Sequence, residues 1–149
     1  MLEQLKAVKD KYPDELENLK GSYSQVERVK KIAYLGDMER ACRGDENLWG
    51  LLNNLITECF EYTRYVLALE RCLKNNCDEK IFISLNTEQA EAHNAVIKNT
   101  HILLEAMAQK GRDTNWSSGL GSSQNRSTYS WLALALACQK MIIEENIKI

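Results

Sequence analysis

The feature that most constrains this chain is an apolar seam between residues 46 and 75, where hydrophobic side chains recur at alternating three- and four-residue steps. The seam consists of Leu52, Leu55, Cys59, Tyr62, Val66, Leu69 and Leu73. This spacing keeps the side chains on one face of an α-helix, whereas a strand would require a period of two. The apolar face is widened on one side by Trp49, Ile56, Phe60, Thr63 and Leu67. A face this wide predicts a long helix inside a helical bundle, because a two-stranded coiled coil needs only the seam.

Start and stop residues predict the other helices. Ser24 and Glu27 form a capping box at the first start, and Asp45 is a typical N-cap for the long helix. Gly44 and Gly111 provide C-terminal stops. We therefore predict an all-α fold, a bundle of four main helices plus a short N-terminal helical segment. The main helices are expected at about residues 24–43, 46–75, 88–110 and 128–146.

Residues 77–86 contain the one strand-like run of the sequence, Ile81-Phe82-Ile83. A single short strand without a partner is unstable. We therefore expect an extended crossover, or a helical turn whose apolar residues cover one end of the bundle. Thr87 is then the expected N-cap of the next helix, with Glu88 and Glu91 in its first turn.

The length of 149 residues suits a single domain, and the sequence shows no internal repeat and no interdomain linker. Residues 1–22 are expected to form an N-terminal helical arm, divided at Pro13. Residues 112–127 change abruptly to Asp, Thr, Asn, Ser and Gly, which predicts a flexible loop before the last helix.

Charge and hydropathy exclude several classes of protein. Lys and Arg number 19 against 21 Asp and Glu, so the net charge is −2 and nucleic acid or anionic lipid is not the expected partner. The first residues are charged too regularly for a signal peptide. The longest apolar run, Trp131 to Cys138, is far shorter than the ~20 residues of a membrane span. The sequence thus predicts a cytoplasmic protein that does not enter a membrane.

The cysteine pattern agrees with that compartment. Five cysteines are scattered through helical patterns, and only Cys72 and Cys77 lie close in sequence. A secreted disulfide scaffold would be denser, and a zinc site would show closely spaced ligand pairs. Most of these thiols are therefore expected to be small apolar core residues in a reducing environment.

Two pairs of carboxylates are candidates for a metal site. Glu58-x-x-Glu61 and Glu88-x-x-Glu91 resemble the ExxE and ExxD pattern of the all-α nucleoside triphosphate pyrophosphohydrolases, with Glu in place of the last Asp. Carboxylates on adjacent helices can hold Mg²⁺ against a triphosphate. Each pair also has a plain structural interpretation, because Glu61 points away from the apolar face and acidic residues favour a helix N-terminus.

The two histidines, His93 and His101, do not form a recognisable metal motif, because neither follows a glutamate at the spacing of a di-iron bundle. His93 lies in an apolar stripe and is expected to be a hydrogen-bonded core residue. In the polar loop, Trp116 is flanked by Arg112 and Arg126. A tryptophan there either packs back onto the bundle or awaits a partner.

The segment EAHNAVIKNTHILLEAMAQKG, followed by Trp116 and the helix NRSTYSWLALALA, resembles an uncharacterised family of small helical bacterial proteins. The similarity covers residues 90–137 and rests on His93, Asn94, Ile97, Gly111, Trp116 and Trp131. It implies an all-helical cytoplasmic domain and supplies no activity. The candidates for a binding surface are Arg112, Trp116, Arg126, His93 and Asn94.

Two functional hypotheses follow. The first is a non-enzymatic protein that binds a protein partner or a small ligand, with no cofactor. The alternative is a Mg²⁺-dependent pyrophosphohydrolase with Glu58, Glu61, Glu88 and Glu91 as metal ligands.

We also predict a homodimer. The helix over 46–75 is roughly 45 Å long, while helices of the lengths predicted for its neighbours cover only ~30–35 Å. The N-terminal arm could cover the remainder, on its own chain or on a second copy.

Overall fold

The computed structural model describes residues 7–8, 10–15, 17, 35–120 and 126–148, and for 118–120, 126–127 and 142–148 it describes the backbone alone. The fold is all-α, as predicted, and the described residues contain no strand. The α-helices after residue 34 are α1 (Leu35–Cys42), α2 (Glu46–Lys74), α3 (Glu79–Gln109) and α4 (Arg126–Lys148). A short 3₁₀ helix, Asn115–Leu120, precedes α4.

Local capping chemistry sets the boundaries of α1, α2 and the end of α3. The side chain of Asp45 accepts a hydrogen bond from the backbone N–H of Leu48 at 3.0 Å, which satisfies one of the free donors of the first turn of α2. Gly44 and Gly111 have φ of 80° and 67°, in the left-handed region where glycine avoids a steric penalty. These predicted boundaries are confirmed. Residues 24–34 of the first predicted helix lie outside the described residues.

The start of α3 differs from the prediction. The helix begins at Glu79 rather than near 88, and Asp78 is its N-cap, accepting from the backbone N–H of Lys80 at 3.1 Å. The run Ile81-Phe82-Ile83 is helical, so the extended crossover is wrong and the helical alternative is correct. Thr87 is an interior residue whose hydroxyl donates to the carbonyl of Ile83 at 3.0 Å. Of the three residues only Phe82 is partly buried, and it lies beside Cys72 and Leu73 of α2, so the strand propensity of the run does not decide its structure.

The core forms where α2 packs along α3 and also contacts α1 and α4. Most of the predicted seam of α2 is buried, but Leu73 at its end is 63% exposed. On α4, Trp131 is 39% exposed, whereas its neighbours Tyr129 and Leu132 are buried. Neither Leu73 nor Trp131 is fully covered by the described part of the chain. Within the described part of the chain, no helix combines the length and apolarity needed to cross a membrane.

The described part of the N-terminal arm packs on α2 of its own chain. Val8 and Tyr12 are 2% and 3% exposed, and the guanidinium of Arg71 donates to both carboxylate oxygens of Glu15, at 2.9 and 3.0 Å. In addition, α3 has 31 residues against 29 in α2, so α3 is long enough to accompany α2 to its end. Both observations shorten the part of α2 that the described residues leave uncovered, and the homodimer itself stays a prediction.

A buried hydrogen bond joins the first and the last of the four α-helices, α1 and α4. The backbone N–H of Leu35, in α1, donates to the side-chain oxygen of Gln139, in α4, at 2.5 Å. The two residues are 104 positions apart in sequence. This contact ties the shortest of the four α-helices to α4 across the bundle.

Candidate functional site

Part of the predicted loop over 112–127 is helical. Residues 115–120 form the 3₁₀ helix, α4 begins at Arg126, and residues 121–125 lie outside the described residues. Trp116 is only 6% exposed, and its indole N–H donates to the sulfur of Met107 at 3.3 Å. The backbone N–H of Ser117 donates to the carbonyl of Thr114 at 2.9 Å, which closes the turn. Trp116 therefore packs onto the bundle and presents almost no surface to a partner.

Arg112 lies beside a polar cavity of about 410 Å³ between α1 and the end of α3. One of its guanidinium nitrogens donates to the carbonyl of Arg43 at 2.8 Å. The cavity also holds Arg40 and Asp37, which pair with each other, and Asp113. Its charges balance, and all four of its charged side chains already have protein partners. That of Asp113 is the backbone N–H of Asn115, which donates to its carboxylate at 2.9 Å. The charged side chains at the cavity are thus used in contacts within the bundle, and the cavity has no excess of positive or negative charge that would bind a ligand of the opposite charge.

The other surface candidates are dispersed. His93 is buried, 6% exposed, with its ring centroid 5.4 Å from that of Tyr62, as expected of a core histidine. Asn94 is exposed on the next position of α3. Arg126 is the first residue of α4, and the structure describes only its backbone. His93 and Asn94 lie about four turns of α3 before its end, where Arg112 and Trp116 follow, so the described side chains among the candidates do not form one constellation.

The four carboxylates of the metal hypothesis are not brought together as a described cluster. Glu61 binds Arg64 on its own helix at 2.7 Å, and Glu88 and Glu91 are exposed in the middle of the long α3 rather than in a first turn. Among the described residues, no group of three or more His, Cys, Asp or Glu side chains is placed to hold a metal ion. The described geometry therefore gives the pyrophosphohydrolase hypothesis no support.

The cysteines fall into two groups. Those at 42, 59 and 138 are not part of a disulfide and are fully buried, as predicted for most of the thiols. Burial raises the pKa of Cys42 to about 11 and that of Cys138 to about 12, and it raises the pKa of Cys59 as well. Cys72 and Cys77 differ, because they are joined by a disulfide with their Cα atoms 4.9 Å apart. The spacing of five residues between them is the sequence signal from which this bond could have been predicted.

The first half of α3 is the most exposed part of the described bundle. No residue from 79 to 91 is buried, and Ile81 and Ile83 are 52% and 56% exposed. We call this face, formed by the exposed side chains of residues 79–91, the hairpin surface. At about 100° per residue, Ile81 and Ile83 point roughly 160° apart around α3, so they lie on opposite sides of this surface rather than in one apolar patch. This surface was not predicted, because residues 77–86 were expected to form an extended crossover or a helical turn that covers one end of the bundle.

A polar stripe runs along the hairpin surface. Lys80, Ser84, Thr87 and Glu91 are all exposed. At about 100° per residue they lie within roughly 60° of one another around α3, and they extend over about 16 Å along it. A cation thus stands at one end of the stripe, an anion at the other, and two small side chains lie between them.

Beside this surface, the α2–α3 connection forms a compact turn. Asn75 is the C-cap of α2, and Asn76 adopts a φ of 49°. The backbone N–H of Cys77 donates to the carbonyl of Cys72 at 3.0 Å. The disulfide borders a cavity of about 300 Å³, which is also lined by Leu73, Asn76, Glu79 and Phe82.

Comparison with known proteins adds no relative to this description. No protein-family model, no curated protein and no solved structure matches this chain. The resemblance of residues 90–137 to a family of small helical bacterial proteins therefore stays a prediction.

Proposed function

We propose that this chain is a non-enzymatic, cytoplasmic interaction protein that binds through the hairpin surface, and that the occupant of this surface is a second copy of the chain. The observation that carries the proposal is the exposure of Ile81 and Ile83 on a helix segment in which no residue is buried. Removing such side chains from water on association is favourable by roughly 25 cal/mol for each Å² of apolar surface.

The charge pattern of the stripe supports self-association in one orientation. If two copies of α3 pack antiparallel about the point between Ser84 and Thr87, Lys80 of each copy lies opposite Glu91 of the other. Parallel packing would instead place like charges together. The small side chains at the centre allow the two helices to approach closely, and Ile81 and Ile83 flank the contact on either side.

The size of the surface sets the expected strength. A helix segment from 79 to 91 is about 20 Å long, and its contact area is small compared with the roughly 1,200–2,000 Å² of total surface that a standard stable interface buries. We therefore expect a weak dimer that forms at micromolar concentration. Its mass by light scattering should approach twice the 17.1 kDa of one chain as concentration rises.

A charge exchange tests the orientation. Lys80→Glu should shift the mass toward that of the monomer, because it places two carboxylates together in each half of the contact. Adding Glu91→Lys to the same chain should restore the dimer, since the opposite charges then face each other again. Lys98→Glu, an exposed site on the same helix with no counterpart in this pairing, is the matched control and should leave the mass unchanged.

Two results would overturn the proposal. A strictly monomeric mass at all concentrations up to about 1 mM excludes a second copy as the occupant. Mg²⁺-dependent release of pyrophosphate from mixed nucleoside triphosphates, lost in Glu58→Ala, contradicts the non-enzymatic assignment.

A further inference from the structure

We infer that the Cys72–Cys77 disulfide is a reversible redox site, opened by thiol–disulfide exchange with a dithiol reductant, and that it fixes the turn that carries the hairpin surface. The bond crosses the α2–α3 turn and joins the last turn of α2 to the residue before the N-cap of α3. In the reducing cytoplasm predicted from the sequence, disulfides are uncommon, and those that form are usually redox-sensing or catalytic.

Among the described cysteines, this pair is the one that an external thiol can reach. Cys77 is partly exposed, and both cysteines line the cavity of about 300 Å³ at the turn. The other cysteines, by contrast, are fully buried. An incoming thiol can therefore approach Cys77 at the bundle surface, while Cys72, at 6% exposure, is the more protected partner.

The exchange balances without any further oxidant. A thiolate of the reductant attacks Sγ of Cys77, the bond between the two cysteine sulfurs breaks, and its electron pair remains on Sγ of Cys72, which takes up a proton. The second thiol of the reductant, after losing a proton, attacks the mixed disulfide and releases Cys77. The protein disulfide is reduced to two thiols, and the dithiol is oxidised to a disulfide.

The structural effect of reduction is expected next to the bond. Between residues 79 and 91 the least exposed side chains are those of Phe82, Leu85 and Gln89, and they are only partly buried. Asn76 keeps its left-handed conformation within the loop that the disulfide closes. Once the bond is open, the turn gains conformational freedom, and we expect the first turns of α3 to separate from α2 more often. The effect on dimerisation rests on the function proposed above.

The experiment is a redox titration of the full chain. Samples are equilibrated in mixtures of reduced and oxidised dithiothreitol, quenched in acid, unfolded, alkylated and analysed by mass spectrometry. We expect Cys72 and Cys77 to become labelled together in one reversible transition. The remaining cysteines, at 42, 59 and 138, should be labelled at every ratio and serve as internal controls.

Hydrogen exchange measures the consequence for the fold. Reduction should speed amide exchange over residues 79–91, by roughly 40-fold at most for a loop this short, while the buried half of α3 near Val96 and Leu103 stays unchanged. The double variant Cys72→Ser, Cys77→Ser should behave like the reduced protein at every ratio. Failure of the pair to oxidise at any ratio, failure to reduce, or unchanged exchange over 79–91 would each overturn the inference.

Light scattering on the oxidised and reduced forms separates this inference from the proposed function. If reduction loosens residues 79–91 and weakens the dimer, both stand. If it loosens them while the oxidised and reduced proteins are equally monomeric, the redox site stands and the dimer surface fails.

Discussion

A matched pair of leucine truncations on α2 tests how the bundle distributes its stability. Leu52 and Leu73 belong to the same seam of the sequence, but Leu52 is 0% exposed and Leu73 is 63% exposed. Replacing a fully buried leucine with alanine costs about 2–5 kcal/mol, from lost transfer energy and the cavity left behind. For Leu52→Ala we expect about 3 kcal/mol. For Leu73→Ala, which removes a side chain that is mostly in water already, we expect less than about 1 kcal/mol.

The assay is thermal and urea unfolding followed by circular dichroism at 222 nm, with the disulfide kept oxidised in both variants. A chain of this size loses roughly 2–4 °C of Tm for each kcal/mol. Leu52→Ala should therefore lower Tm by about 6–12 °C, and Leu73→Ala by less than about 4 °C. The substitution and the helix are the same, so differences in helix propensity cancel. Equal shifts for the two variants would refute the assignment of the core to the middle of α2.

Three further outcomes follow from the described contacts. Trp116→Ala should destabilise the fold by about 3 kcal/mol in urea unfolding, because the indole is buried on the bundle; full stability together with a lost binding activity would contradict this. Burial and raised pKa values suppress the thiolate form of the cysteines outside the disulfide, Cys42, Cys59 and Cys138. Iodoacetamide should therefore react with them slowly in the native state and fully in urea. The hydrogen bonds from Arg71 lower the pKa of Glu15 below its ordinary 4.5, so this ion pair stabilises the fold above that pH, and its contribution is lost as the pH falls through the lowered pKa. Glu15→Gln should accordingly lower Tm at neutral pH and leave it unchanged in strong acid; a difference that persists in acid would count against the pair.

The sequence predicts those helix boundaries that depend on local chemistry. Asp45 caps α2 through its own side chain, and Gly44 and Gly111 adopt positive φ where a helix ends. Each of these effects involves only neighbouring residues, so the pattern of residue types is sufficient to locate it. Burial of His93 was also predictable, because its position within an apolar stripe follows from helical spacing alone.

The sequence fails where the outcome depends on long-range packing. Ile81-Phe82-Ile83 has the composition of a strand, yet it lies inside α3, which extends back to Glu79 and places Phe82 beside Cys72 and Leu73 of α2. Leu73 and Trp131 follow the apolar stripes of their helices but lie where the described partners cover them incompletely. The candidate surface was missed for the same reason. A segment can be recognised as an exposed helix face only after its neighbours have been placed.

The hydrogen bond between Leu35 and Gln139 has a kinetic consequence. It closes a separation of 104 residues, whereas α2 and α3 are joined by a turn of only a few residues. Because closing a short loop costs less entropy than closing a long one, the α2–α3 hairpin is expected to assemble early and the contact between α1 and α4 late. Gln139→Ala should then mainly accelerate unfolding, while Leu55→Ala, in the middle of the hairpin, should mainly slow folding in stopped-flow experiments. On heating or in denaturant, the contact between α1 and α4 at Gln139 is expected to open first, long before α2 and α3 separate.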